Sequence, residues 1–299
     1  MGGIIWLASY PKSGNTWTRA FLHNFIRQAE NANEGGYDIN KMNALSSSDN
    51  GHMWYEEVLG KPVKEATHEE LTIARPKAHK FIHDQTEGFI FLKTHNALVV
   101  HDGVPLHTPQ YTAGAVYIVR NPLDVAISYS FHMNMTIDEI IEVMAEKGYL
   151  FPTNEKSVFQ IQGSWTEHVF SWTRRPNPSM FVMRYEDMLD RPFDTFGDLV
   201  EFLHLPRDPL RLRTAIDMSS FKALQEMEKK EGFRERPKHA EKFFREGRSG
   251  QWKHELSVNQ IKRIIKEHGE QMARFGYLPE AEAFLRNPVA GRKAALASA

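Results

Sequence analysis

Apolar residues in this chain gather in short unbroken runs rather than in strict alternation with polar ones. Ile4–Ser9, Phe89–Lys93, Ala115–Val119 and Met180–Arg184 are such runs, rich in Ile, Val, Phe or Tyr. Each leads into polar or helix-starting residues. That pattern fits strands buried on both faces, as in a parallel sheet. Amphipathic stretches lie between and after them. Thr16–Gln28 carries Trp17, Ala20, Phe21, Asn24 and Phe25 at helical spacing. Pro122–Phe131 starts on a proline suited to a first helical turn. Gly163–Thr173 and Thr195–Leu203 also read as helices, and Val258–Phe275 is flanked by an N-cap candidate, Ser257, and a stop, Gly276.

Strands alternating with helices predict one α/β domain, doubly wound, with a central and mostly parallel sheet flanked by helices. The domain is expected over residues 1–286, with a flexible tail over 287–299. Ligands of such sheets sit beyond the C-terminal strand ends. Tyr10–Thr16, Thr94–Asn96, Arg120–Asn121 and Tyr185–Asp187 are therefore expected to converge. Two regions carry little pattern. Asn31–Gln85 is polar, with turn signals at Gly35-Gly36 and Ser46–Gly51, and suits an acceptor pocket or lid. Lys229–Gly250 is charged and glycine-containing and reads as a long functional loop.

Composition narrows the chemistry. The 299 residues are 41% hydrophobic and 25% charged, which excludes wholesale disorder. The net charge of −1 points to neither nucleic acid nor an anionic membrane, so an anionic ligand requires a local cluster of basic groups. The absence of cysteine removes disulfides, thiolate metal sites and cysteine catalysis. With no apolar run long enough to span a bilayer and no charged-then-apolar leader, the expected location is cytoplasmic.

The first strand runs into Tyr10-Pro-Lys-Ser-Gly-Asn-Thr-Trp17 and then a helix. Backbone N–H groups at such a junction attract anions. The lysine, Lys12, comes early in the loop, unlike the Gly-Lys-Ser/Thr order of a Walker A sequence. Three further blocks carry polar chemistry: Lys93-Thr-His95, Arg120-Asn-Pro-Leu-Asp-Val-Ala-Ile-Ser128 and Arg245-Glu-Gly-Arg-Ser-Gly-Gln-Trp-Lys253. Together, in this order, the four blocks resemble the cytosolic-type, bacterial-like sulfotransferases that use 3′-phosphoadenosine 5′-phosphosulfate (PAPS), a resemblance that covers roughly residues 4–278.

The resemblance implies the sulfotransferase fold, which is like that of P-loop kinases, and transfer of a sulfuryl group from PAPS to an acceptor hydroxyl. Adenosine 3′,5′-bisphosphate (PAP) is the product, and no metal is called for. Lys12 would stabilise the leaving oxygen, with Ser13, Gly14, Asn15 and Thr16 around the 5′-phosphosulfate. Trp17, Tyr185, Ser219, Phe221 and Phe243 would lie near the adenine; for Tyr185 a half-buried strand-end aromatic is an equal reading. His95 would be the general base and Lys93 a partner of the transferring group. Arg120 and Ser128, eight positions apart, would hold the 3′-phosphate with Arg245 and Gly247, and Ser128 would also restrain Lys12. Asp124 reads as a helix N-terminal charge.

Three departures from the family pattern stand out: Asn15 replaces a common threonine, Glu246 a lysine, and Lys262 reverses the acid that ends a dimerisation segment running from Lys253 through Ser257-Val258. A carboxylate at Glu246 either weakens the 3′-phosphate clamp or is compensated by Arg248, and the oligomeric state stays open. His101 and His107 follow His95 without a zinc spacing. The acceptor is read as a small apolar or aromatic molecule, from Trp54, Tyr55, Phe89, Phe131, Met133, Met135 and Phe151, with His132 and Asn134 as polar contacts. Two other classes remain. A P-loop-type small-molecule kinase would need a Mg²⁺-holding acid, for which Glu186-Asp187 is the strand-end candidate. A non-catalytic nucleotide-binding protein would have no use for Lys12, Lys93 and His95 together.

Overall fold

The structure, a computed structural model, describes residues 2–27 and 39–289. The Gly35-Gly36 turn signal, Gln28 and most of the expected tail lie outside the described residues. The strands are β1 (Gly3–Ser9), β2 (Ser46–Ser48), β3 (Phe89–Thr94), β4 (Val100–His101), β5 (Val104–Pro105), β6 (Thr112–Val119), β7 (Leu150–Phe151), β8 (Gln160–Ile161) and β9 (Met180–Arg184). The helices are α1 (Asn15–Arg27), α2 (His52–Leu59), α3 (His68–Asp84), α4 (Pro122–Met133), α5 (Ile137–Ala145), α6 (Trp165–Thr173) and α7 (Tyr185–Asp190). After them come α8 (Pro192–Phe202), α9 (Pro209–Met218), α10 (Phe221–Glu231), α11 (Trp252–Glu255), α12 (Val258–Arg274) and α13 (Leu278–Arg286). No helix among the described residues is long and apolar enough to cross a membrane.

The central sheet has the order β2-β3-β1-β6-β9 and is parallel throughout. The period of two sorts its side chains onto two faces. Ile4, Trp6 and Ala8 of β1, with Ala115, Tyr117 and Val119 of β6, pack under α4, α6 and α12. Leu7 of β1, with Val116 and Ile118 of β6, packs against Phe21 and Phe25 of α1 and Phe196, Leu199 and Val200 of α8. Both faces are covered, which is why these strands read as continuous apolar runs. Tyr55, Val63, Leu71, Ala74 and Phe159 form a separate small core under α2 and α3.

Strand β1 sits in the middle, with β3 on one side and β6 on the other. The connections leaving its C-terminal end diverge there, so a crevice opens at the topological switch point. Ser257 caps α12 through a full capping box with Gln260, and Gly276 follows the helix at φ 78°.

Candidate active site

At the switch point, the turn after β1 lifts the chain over the sheet edge. Lys12 has φ 64° and Gly14 φ 103°, left-handed conformations that let the loop fold back before α1 starts. A Cβ on Gly14 would approach the Tyr185 ring to 2.8 Å, so glycine is required there twice over. Asn15 holds the turn to the strand: its Nδ2 donates to the Leu7 carbonyl at 2.8 Å and to the Ser9 hydroxyl at 3.3 Å. A polar side chain able to span this turn is what the replacement of threonine by asparagine retains.

Beyond the turn lies a cavity of about 1130 Å³. Its wall includes Lys12, Gly14, Asn15, Thr16 and Trp17 from the turn and α1, Lys93 and His95 from the end of β3, and Arg120 and Ser128 from β6 and α4. Tyr185, Phe221, Phe243, Arg245 and Gly247 complete the same wall. Two residues fall elsewhere. Ser13 is buried and lies off the wall. Ser219 is fully buried, and its hydroxyl donates to the Ala215 carbonyl at 2.7 Å inside α9. The neighbouring Ser220, the N-cap of α10, faces the cavity in its stead.

His95 is oriented by the strand it faces. Its Nδ1 lies 2.7 Å from the Ser9 carbonyl oxygen. A carbonyl can only accept, so Nδ1 carries the proton and Nε2 keeps its lone pair. Burial, then the nearby Lys93 charge, holds the imidazole well below its usual range, so it is neutral at pH 7. Thr94 and Asn96, on either side, both bond Asp49 Oδ2, at 3.0 and 3.1 Å.

The cations share few counter-charges. Burial, followed by Arg120 and Lys93, brings Lys12 down to about 7. Its ammonium stands 4.3 Å over the Phe243 ring. Arg120 donates to the carbonyls of Lys12, at 2.9 Å, and Arg248, at 3.2 Å, and its guanidinium covers Tyr185 at 4.2 Å. Arg120 thus ties the β1 turn to the C-terminal block, leaving its Nε unpartnered.

Three functional contacts, through Glu235, Glu228 and Asp124, escape the sequence reading. Glu235 lies within the Lys229–Gly250 segment and reaches the cavity wall. It pairs with buried Arg19 at 2.7 Å and with Lys93 at 3.6 Å. Burial would raise its carboxyl, but Lys93 and Arg19 outweigh that and hold it at about 2. Only its charge in an acidic-basic run hints at this role. Glu228 accepts from the backbone N–H groups of Phe243 and Phe244, at 2.7 and 2.9 Å, and so shapes the same segment. Asp124 is buried and is no surface helix charge: it accepts from the N–H of Gly250 at 2.7 Å and of Trp252 at 3.1 Å, anchoring the C-terminal block on α4. Glu246 pairs with Arg248 at 3.1 Å, so its charge is met within the block itself. Gly247 has φ 64°, and a Cβ there would overlap the Phe221 ring.

The apolar candidates divide. Trp54, Met133 and Phe151 line the cavity with His132. Tyr55 is instead fully buried in the small α2–α3 core, and Phe89 is exposed at the far end of β3. Phe131 covers the Arg245 guanidinium from outside the cavity wall, Met135 packs on the main core, and Asn134 is the left-handed C-cap of α4. Both acids of the pair considered for a kinase are engaged by other groups of the protein. Glu186 accepts from the Asn121 N–H at 3.0 Å and from the Tyr277 hydroxyl at 2.8 Å. Asp187 pairs with Arg191 at 3.3 Å.

Comparisons with known proteins bear on the family and the fold. The family model for the sulfotransferase domain matches residues 4–276. A 3-beta-hydroxysteroid sulfotransferase of Cavia porcellus is 31% identical over 56% of this chain, and the chain spans 58% of that relative's length. A flavonol 3-sulfotransferase of Flaveria bidentis is 23% identical over 91% of the chain and 82% of its own length. Among solved structures, retinol dehydratase in complex with androsterone and inactive cofactor PAP superimposes with a TM-score of 0.62 at 18% identity, covering 90% of this chain and 80% of that one. A mouse sulfotransferase complexed with PAP gives 0.60 at 16% identity, over 95% and 88%. By the span of the domain match, the chain belongs to the sulfotransferase domain family.

Proposed function

We propose that this protein transfers the sulfuryl group of PAPS to a hydroxyl of a small apolar or aromatic acceptor. One observation carries the reading: Lys12, Lys93, Arg120 and Arg245, from four separate parts of the chain, line one cavity with a histidine whose Nε2 is unprotonated. So many cations around one cavity, with Glu235 and Glu246 as acids on the wall, suit a ligand bearing several negative charges.

The residues present fit such a cofactor. Arg120 Nε and Trp17 Nε1, both on residues of the wall, are buried without a hydrogen-bond partner in the described structure. Gly14 and Gly247, at positive φ, leave room for the Tyr185 and Phe221 rings that form part of the wall. PAPS would supply the sulfuryl group, and as its bond from sulfur to the bridging oxygen breaks, PAP would leave with the negative charge on that oxygen. Lys12, and Lys93 beside it, would meet that charge as it develops. His95 Nε2 would take the acceptor's hydroxyl proton as the new S–O bond forms. Arg120, Ser128, Arg245 and the backbone at Gly247 would hold the 3′-phosphate, and Trp17, Tyr185, Phe221 and Phe243 the adenine. Trp54, Met133 and Phe151 would enclose the acceptor.

The test is transfer from ³⁵S-labelled PAPS across phenols, steroid-like alcohols, lipid alcohols and flavonoid-type hydroxyls, with PAP release as the common readout. His95→Ala is expected to lower turnover by about 10²-fold or more with PAP affinity and fold retained. Wild-type turnover in that variant would remove the base assignment. Mg²⁺-dependent transfer from ATP without response to PAPS would overturn the whole reading.

A further inference from the structure

His68, His101 and Asp102 lie outside the cavity, yet they form the tightest cluster of metal-binding donors among the described residues. Their ligand atoms all fall within 4.8 Å of one another. His101 Nε2 is the vertex, 2.9 Å from His68 Nε2 and 3.3 Å from an Asp102 oxygen. Two donors held about 2.1 Å from one ion, at angles between octahedral and tetrahedral, stand about 3.0 to 3.4 Å apart. The two edges at His101 lie close to that spacing, and the third lies within 4.8 Å. As a bare protein contact, the paired Nε2 atoms require one ring to carry a proton between them. A metal ion replaces that proton and uses both lone pairs.

The donors are held by ordered elements rather than by a loose surface. His68 is the first residue of α3, fixed by the Thr67–Glu70 capping box. His101 ends β4 opposite Val104 of β5, and the tight turn between them places Asp102 at φ 48° and Gly103 at φ 78°. The two imidazoles stand at 88° to each other, and the buried Phe159 ring packs against both, 4.1 Å from His68 and 5.8 Å from His101. Arg75 of α3 fixes Phe159 in turn, by a 2.9 Å bond to its carbonyl. Ligand orientation is thus set before any ion arrives, which lowers the entropy cost of binding. His68 and Asp102 are exposed, so water can reach the cluster and fill further coordination positions.

We propose that His68, His101 and Asp102 bind one divalent transition ion that pins the β4–β5 hairpin to the start of α3. Two imidazoles and a carboxylate suit Zn²⁺, Co²⁺, Ni²⁺ or Cu²⁺; Mg²⁺ and Ca²⁺ prefer all-oxygen shells. The site is structural. It is separate from the transfer chemistry and stands whether or not the proposed activity does.

The test is titration of tag-free, chelator-treated protein with Co²⁺, read by visible absorption, followed by competition with Zn²⁺. One ion per chain is expected, displaced by Zn²⁺, with Zn²⁺ raising the thermal midpoint. His68→Ala and His101→Ala should each weaken binding more than about tenfold and abolish the thermal shift. Asp102→Asn keeps a residue suited to the left-handed turn and should weaken binding less. His204→Asn, at an exposed left-handed position elsewhere, should bind as the parent does. No saturable binding below about 1 mM, or binding by either histidine variant as tight as by the parent, would overturn the site.

Discussion

Lys12 shows how one side chain can report on the state of the site. Burial and the neighbouring cations lower it to about 7 in the ligand-free protein. A bound polyanion would restore its ordinary preference for the charged form. Below about pH 7 the empty site already holds that proton, so binding takes up none from this group. Above that pH, binding must take one up, and PAP affinity is expected to fall, approaching tenfold per pH unit. Calorimetric titrations between about pH 7 and 9 measure the slope. Lys12→Arg, which stays charged throughout, should flatten it. The same shift has a stability consequence of opposite sense. The unfolded chain holds this proton up to 10.5 and the folded one only to about 7, so across that window the group makes the empty protein more stable as pH rises.

Arg120 carries a second residue-scale expectation. It bonds two backbone carbonyls and stacks on Tyr185, so its removal loosens the junction as well as a phosphate contact. Arg120→Ala is expected to weaken PAP binding by well over tenfold and AMP binding far less. Equal losses for the two nucleotides would place the 3′-phosphate elsewhere.

At the scale of elements, β1 and β6 were legible because they are largely buried on both faces, and β3 and the edge strand β9, though partly exposed, because they too are apolar runs. The fifth, β2, is Ser46–Ser48, and nothing in three serines announces a strand. Its pairing with β3 through Phe91, Leu92 and Lys93 makes it one. Helix α3 was hidden for a different reason. Arg75 and His79 are buried in its core face, and Pro76 sits inside it, so its apolar period is broken where it packs. Buried arginine also concealed the Glu235 junction. Arg19 is almost fully enclosed, bonding Ser46 on one side and Glu235 on the other. Glu235→Ala would leave Arg19 and Lys93 short of a counter-charge. A cost of about 3 kcal/mol in denaturant unfolding is expected, with weaker closure of the 232–250 segment over the cavity. Glu235→Gln, which keeps the shape and part of the hydrogen bonding, should cost less. Unchanged unfolding midpoints in both would remove the junction from the list of stabilising contacts.

At the scale of the whole molecule, two structural units meet at one cavity. The β1 turn, the start of α1, the end of β6 and the C-terminal block build the side bearing Lys12, Arg120 and Arg245. The small α2–α3 core, with the β7–β8 pair beside it, contributes Met53, Trp54, Phe151 and Gln160. The sequence displayed the first side as contiguous blocks, because backbone turns and phosphate-type donors need fixed spacing. It left the second side blurred, because an apolar wall needs only bulk, and Tyr55 and Phe89 have as much bulk as Trp54. Trp54 sits at the boundary: its ring faces the cavity, while its Nε1 donates to the Ser48 carbonyl at 3.0 Å and so holds α2 to the sheet edge. Under the proposed function, Trp54→Phe is expected to raise the acceptor KM several-fold while leaving PAP affinity unchanged. The substitution removes the bond to Ser48 and part of the ring, but touches none of the cations. Equilibrium binding of PAP and initial-rate kinetics in the acceptor separate the two effects. A parallel loss of PAP affinity would show that the two sides are one site, mechanically coupled through β2 and the junction of Arg19 with Ser46.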